Sequence, residues 1–431
     1  MNYVKQKSNR IYKVVLFYWI ILVIWQNLRH TVTRSGIDLA IKVGLILWLL
    51  IEFLWVEHTF SKKPFIYFST FLTFFLLVYV FIERSFKFST ILIYIYPLLL
   101  VFLTCVLGNS FTINIHELLY LCNGTVITVA YITIFGLIFH SDQFIKALTA
   151  STAYGNELRS FFVNSHEYGL YLAGGVVCCL IALKIKSRAK IRDKFYYWLA
   201  LLLFFPSLLL TYSRTTLLGI LCVFVVLVIF SKKNGIKRAL IIGGIIIALL
   251  IIFIEPVRTF VFNNILKENK LGVREDIYQM SFEYFKEGSV TEILFGRGIE
   301  ASRAFSVEET THTSVHNAYL QILLYYGIIG LLFLAVFYIV QIIETIKLLK
   351  INRFCGAMML AVEIMGIVVM FTNTAYVFFS STDSYFLTLV SIIVPKYVRN
   401  AINDGVFYVE SGKEVEPYWY DISAYQGGIT E

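Results

Sequence analysis

Apolar runs of about 20 residues, separated by short polar connections, recur along nearly the whole 431-residue chain. No water is present in a hydrocarbon core, so each backbone N–H and C=O must be satisfied inside its own segment, and helices of about that length are the economical solution. The runs predict spans at 12–27, 37–56, 64–82, 89–107, 117–139, 168–184, 195–211, 215–230, 239–254, 316–341, 355–373 and 376–395. Several are short and need a thinned bilayer or a protein-lined gap. Composition agrees: 58% of residues are hydrophobic and only 15% charged, against about a quarter charged in soluble domains. The expected fold is an all-α polytopic membrane protein with about 12 transmembrane helices. Met1 to Arg10 looks like a signal-peptide n-region, but no small-residue cleavage site follows the first apolar run, which therefore reads as a retained helix.

Orientation follows from the cationic loops, which tend to stay in the cytoplasm. The N-terminal segment carries Lys5, Lys7, Arg10 and Lys13; further clusters are Lys184, Lys186, Arg188, Lys190, Arg192 and Lys194, then Lys232, Lys233, Lys237 and Arg238, then Lys347, Lys350 and Arg353. The spans put all of these on one side, so both termini are expected in the cytoplasm of an inner-membrane protein. The chain then divides into helices 1–9 (1–254), an extracytoplasmic loop (255–315), helices 10–12 (316–395) and a cytoplasmic tail (396–431). The net charge of +9 is read as this topogenic excess facing anionic lipid, not as a nucleic-acid surface.

Soluble-enzyme chemistry has no foothold. The chain lacks a phosphate-binding GxxxxGK[ST] loop, a GxGxxG turn and a nucleophile elbow. Cys105, Cys122, Cys178, Cys179, Cys222 and Cys355 all fall inside predicted spans, with no CxxC or Cys/His spacing for zinc. They read as small packing groups. Neither a cofactor nor a metal is expected.

Polar residues gather in a few places. Thr211-Tyr212-Ser213-Arg214-Thr215-Thr216 interrupts two apolar runs and puts an arginine at the outer boundary between tightly connected helices. Two readings stand: a snorkelling interfacial anchor, or an anion clamp, since the guanidinium fork matches phosphate oxygens. The outer loop contains Arg258, Arg274, Arg297, Arg303, His312 and His316. Within it, 273–285 reads as an amphipathic helix with Ile277, Tyr278, Ser281, Phe282 and Phe285 on one face and Arg274 at its start. Such a helix either lies on the membrane surface or covers the bundle. His316, at the start of the next apolar run, is either a cap or core residue or a group that exchanges protons near neutral pH. The intramembrane Glu52 and Glu363, and Asp383 near a helix end, are expected to have structural partners.

The string Gly296-Arg297-Gly298-Ile299, followed after a polar stretch by His316-Asn317-Ala318-Tyr319-Leu320 and by Gly327 and Gly330, resembles the signature of the O-antigen ligase and polysaccharide polymerase family of bacterial membrane enzymes. Leu210-Thr211-Tyr212-Ser213-Arg214-Thr215 is similar to that family's Ser-Arg motif, Gly272-Val273-Arg274 to the opening of its loop helix, and 162–169 to a segment before a span. The last piece departs from the family at Ser165-His166, where many relatives carry a Pro-Asn pair, and no role is assigned to it. The matching strings run from about Asn164 to Gly330; the first five helices match in hydropathy alone.

The resemblance implies a glycosyltransferase C-like helical fold with an extracytoplasmic active site. The implied substrate is an oligosaccharide linked through pyrophosphate to undecaprenol, with a flippase and a chain-length regulator as further partners. Arg214 and Arg274 would hold and stabilise the pyrophosphate, and His316 would take the acceptor hydroxyl's proton. Tyr212, Arg297 and Asn317 would line the substrate beside them. Cations preorganised where charge develops lower the barrier without a metal. The first reading is a polymerase for capsule, exopolysaccharide or O-antigen; a ligase is the alternative, and a lipid-oligosaccharide flippase is the alternative of another class. Clustering of the cations on one face, and the lack of a repeat relating the two halves, speak against the flippase.

Overall fold

A computed structural model of the protein describes residues 62–81, 115–149, 156–162, 165–186, 190–230, 271–298, 315, 317–351 and 353–371, with isolated helical positions within 43–54 and 241–253. Among the described residues the structure is all-helical and contains no strand. The helices are α1 (Lys62–Phe81), α2 (Ile115–Phe139), α3 (Ser141–Thr149), α4 (Ser165–Ile185), α5 (Ile191–Leu210), α6 (Arg214–Phe230), α7 (Leu271–Lys286), α8 (Val290–Phe295), α9 (Ala318–Ile351) and α10 (Arg353–Val369).

Helices α1, α2, α4, α5, α6, α9 and α10 coincide with predicted spans. The predicted spans at 12–27, 37–56, 89–107, 239–254 and 376–395 lie outside the described residues, apart from the isolated helical positions. Among the described residues, four helical segments, Leu119–Phe139, Ser165–Ile185, Ile191–Leu210 and Ala318–Lys350, are long and apolar enough to cross a membrane, and Arg214–Phe230 is a shorter apolar helix. Their outward sides carry exposed Ile127, Phe195, Trp198, Leu202, Leu221 and Leu332. In water such faces would be costly; in lipid they are solvated.

Helices α2, α4, α5, α6 and α10 share one apolar core. Its largest fully buried side chains include Tyr168 and Phe204, and Gly175 lets α4 approach Phe204 and Val129 closely. Helices α6 and α10 run antiparallel. Arg353 Nε donates to the Phe230 carbonyl at one end (2.6 Å), and Gly219 packs on Met365 and Val369 toward the other. The basic residues near the first end hold local partners: Lys184 Nζ lies 5.5 Å from the Phe354 ring centroid, and Lys186 Nζ 5.3 Å from that of Tyr197. Glu363, buried in α10, accepts from Thr345 Oγ1 of α9 (2.5 Å), which supplies the expected structural partner. Glu52 and Asp383 lie outside the described residues.

Three elements differ from the expectation. Helix α5 begins at Ile191, so Arg192 and Lys194 form its first turn instead of a loop; Asp193 there favours the positive helix end, Arg192 is exposed and Lys194 is half-buried. Helix α3, with an Asp142–Lys146 pair (3.7 Å) spanning one turn, occupies a stretch that hydropathy alone leaves as a connection. Helix α9 continues to Ile351 through Gln341 and Glu344, supported by the Glu344–Lys347 pair at 2.8 Å, and is broken at Gly327 (φ 65°, ψ −165°). Only glycine occupies that conformation readily.

Candidate functional site

The Ser-Arg motif is the turn of the α5–α6 hairpin. Helix α5 ends at Leu210; the amides of Thr211 and Tyr212 donate back to Ser207 and Leu209 carbonyls (both 3.1 Å), and Tyr212 turns the chain at φ 51°. A non-glycine residue in this left-handed region is held there by its surroundings. Tyr212 is buried, and its phenol donates to the Ala147 carbonyl of α3 at 2.5 Å. Burial, and then the nearby Glu157 carboxylate, raise the phenol's pKa and keep it a neutral donor. Tyr212 therefore anchors the turn onto α3.

Ser213 is fully buried, and its hydroxyl is shared with Thr216 Oγ1 (2.7 Å) and with His166 Nδ1 (2.8 Å). Arg214, the next residue, opens α6 with its side chain exposed. The first turn of α4 is pressed onto this hairpin at Gly169, where a Cβ would stand 3.2 Å from Thr216 Oγ1 and 3.3 Å from Ser213 Cβ. The segment without an assigned role, Ser165-His166, thus packs directly beneath the Ser-Arg motif. A polar pair at a helix start, followed at i+3 by a glycine, was the available signal; sequence does not say which helix it faces.

The start of α9 and helix α7 meet the same end of the bundle. Because α6 and α10 are antiparallel, Arg214 shares an end with Met370 and Phe371. The Met370 carbonyl accepts from Ala318 N (2.9 Å), tying in the start of α9, and the Phe371 carbonyl accepts from Tyr278 Oη of α7 (3.2 Å). Asn317 caps α9: its Oδ1 accepts from the amides of Tyr319 and Leu320 (both 3.0 Å). Tyr319 Oη donates to the Ile367 carbonyl (2.9 Å).

Helix α7 covers the stretch for which periodicity predicts a helix. Ile277 packs with Val315 and Leu324, supported by Tyr278, Phe285 and Leu320, and Ser281 is buried. Phe282 departs from the predicted face: it is exposed, beside the Phe285 ring and under Lys286 Nζ (4.5 Å). At 100° per residue Phe282 stands about 140° around the helix from Ile277, at the far edge of the five-residue face. The helix is therefore a packed cover on α9. Arg274 falls in its first turn, one turn before Ile277, and its side chain lies outside the described residues, as does the whole of His316. Val315 and Asn317, on either side of His316 in sequence, are both buried.

Arg297 is built into the scaffold. Its Nη2 donates to the Tyr284 carbonyl (2.8 Å), its guanidinium carbon sits 3.8 Å from the Tyr284 ring centroid, and Nε lies 3.9 Å from the Glu292 carboxylate. Glu292 also closes a capping box with Ser289 at the start of α8. The amides of Arg297 and Gly298 donate to the carbonyls of Leu324 and Tyr325 (2.9 and 3.1 Å), just before the break in α9. Backbone groups loosened by a break inside a buried helix need partners, and the Gly-Arg-Gly turn supplies them.

Of the residues expected to meet substrate, the structure gathers Tyr212, Arg214 and Asn317 at one end of the bundle. Tyr212 and Asn317 use their side chains on the fold, the Arg297 side chain is held by Tyr284 and Glu292, and Arg214 is exposed. An exposed guanidinium at a rigid turn is suited to an anion at the membrane boundary.

Residues 199–335 match the family model described as O-antigen ligase, a segment that runs from α5 through the break in α9 and contains Arg214, Arg274, Arg297 and His316. A search among curated proteins finds no match. The family match bears out the resemblance seen in the motifs and supports glycan transfer of the O-antigen ligase or polymerase type by a multi-pass membrane protein.

Proposed function

We propose that the chain is a polysaccharide polymerase, which moves a growing glycan from its polyprenyl pyrophosphate onto the sugar hydroxyl of a lipid-linked repeat unit at the outer face of the cytoplasmic membrane. The observation that carries this reading is the convergence, on one end of the bundle and within the family match, of the Arg214 turn, the α7 cover and the capped start of α9. In the reaction the acceptor oxygen forms a bond to the anomeric carbon, and the bond from that carbon to the pyrophosphate oxygen breaks. Arg214 and Arg274 bind the diphosphate and stabilise the charge gathering on the leaving oxygen. His316 takes the acceptor proton. This charge balance is met by side chains alone, and the proposal is metal-independent.

A second reading, transfer of the finished chain to a different acceptor, is favoured by the matched family's description as O-antigen ligase. The test is turnover of undecaprenyl-pyrophosphate-linked repeats by purified protein in detergent, with no second compartment. Longer lipid-linked chains support the polymerase. Consumption only when another acceptor is added supports the ligase, and unchanged substrate in both cases would leave a flippase-type role.

A further inference from the structure

We infer that His166 is a positioning residue, which sets the Ser213–Arg214 turn through the Nδ1–Oγ hydrogen bond and thereby aims the Arg214 guanidinium. The inference deepens the proposed function and rests on its placing of Arg214 at the pyrophosphate.

An arginine has several rotamer-rich bonds, so holding it on an anion costs entropy that a fixed backbone origin reduces. The origin here is unusual. Tyr212 occupies a left-handed conformation immediately before Ser213, and such a residue persists only when its neighbours over-determine it. Tyr212 Oη is held from α3, on one side of the turn. Ser213 is held from two directions: Thr216 Oγ1 lies on its own helix, whereas His166 belongs to α4, a separate element. The imidazole thus carries a polar tie between α4 and the arginine turn. Gly169, one turn further along α4, permits the close approach that the tie requires.

The contact uses Nδ1, which gives the test its edge. An asparagine amide places a hydrogen-bonding atom near the position of Nδ1, and a glutamine amide places one near Nε2. His166→Asn should therefore keep the tie and His166→Gln should lose it, although both remain polar. The readout is the Kd for undecaprenyl pyrophosphate in detergent, measured beside kcat and KM for lipid-linked repeats and the unfolding midpoint.

We expect His166→Ala and His166→Gln to weaken binding and raise KM about 3- to 10-fold, the range of one net hydrogen bond, with kcat less affected and His166→Asn close to wild type. Ser213→Ala should have at least this effect, since it also removes the Thr216 contact, and the double variant should be no worse than Ser213→Ala alone, because that change already removes the His166 tie. Wild-type binding by His166→Ala, equal rescue by Asn and Gln, or additive losses in the double variant would each overturn the positioning role. Should His166→Ala fail to fold, the Asn–Gln comparison still decides. Wild-type protein that neither binds undecaprenyl pyrophosphate nor extends repeats would overturn the underlying reading of the site instead.

Discussion

Gly296 and Gly327 meet backbone to backbone: a Cβ built on Gly327 would stand 2.6 Å from Gly296 N, and both glycines have positive φ, +83° and +65°. The Gly-Arg-Gly turn and the break in α9 are therefore one structural unit, and neither glycine admits a side chain. Gly327→Ala combines an unfavourable conformation, about 1–3 kcal/mol, with overlap on the Leu294–Gly296 backbone. The expected outcome is a clearly lowered unfolding midpoint in detergent and faster proteolysis within 271–298. Gly174, with open space around its Cβ position, is the matched control and should be near neutral.

Arg214→Ala and Arg274→Ala should abolish chain extension while the protein elutes as wild type in size-exclusion chromatography. Arg214 is exposed at a turn secured by Tyr212 and Ser213, so its truncation leaves the hairpin intact. Lysine should rescue poorly because it lacks the planar fork that meets two phosphate oxygens. Full activity of either alanine variant on lipid-linked repeats would remove that residue from the pyrophosphate site.

His316→Ala should cost on the order of 10² to 10⁴ in turnover, the usual range for general acid–base catalysis, with donor binding largely retained. His312, outside the matching string, should tolerate Ala or Gln much better. Turnover and undecaprenyl pyrophosphate binding measured in parallel separate the roles. Loss of binding as complete as that of Arg274→Ala would make His316 a second pyrophosphate contact.

Glu292 gives the α7–α8 cover a pH limit. The Ser289 backbone N–H first, then its hydroxyl and the Arg297 charge, hold the carboxyl below its ordinary value. A depressed folded-state pKa contributes stability above the unfolded value of about 4.3 and loses it as pH falls through the folded value. The carboxylate is 38% exposed, so water screens the effect and it remains small. Proteolysis within 271–298 should accelerate below about pH 4, and Glu292→Gln should flatten that dependence while raising the rate at neutral pH.

Orientation is tested by labelling. A cysteine introduced at Asn269 should react with a membrane-impermeant reagent applied outside intact cells, and one at Arg188 should react only after permeabilisation. The reverse pattern would put the Arg214 end of the bundle in the cytoplasm, away from mature lipid-linked glycan.

The apolar runs by themselves determined that the chain is a helical membrane protein and where its described spans lie, because hydrocarbon enforces helix length through backbone hydrogen bonding. The strings around Arg214, Gly296 and His316 likewise carried the resemblance that the O-antigen ligase match over residues 199–335 bears out. Tertiary structure decided what no one-dimensional pattern carries. Hydropathy could not reveal the break at Gly327, since an apolar run reads alike whether straight or kinked; the break is fixed by donors from 297–298, distant in sequence. Nor could spacing sort the polar residues. Tyr212, Asn317 and Arg297 sit in the matching strings beside Arg214, yet a carbonyl on α3, two amides at a helix start and the Tyr284 ring engage their side chains. His166 is the converse case. Its sequence surroundings departed from the family, and only the packing of α4 onto the α5–α6 hairpin put its Nδ1 within hydrogen-bonding distance of Ser213.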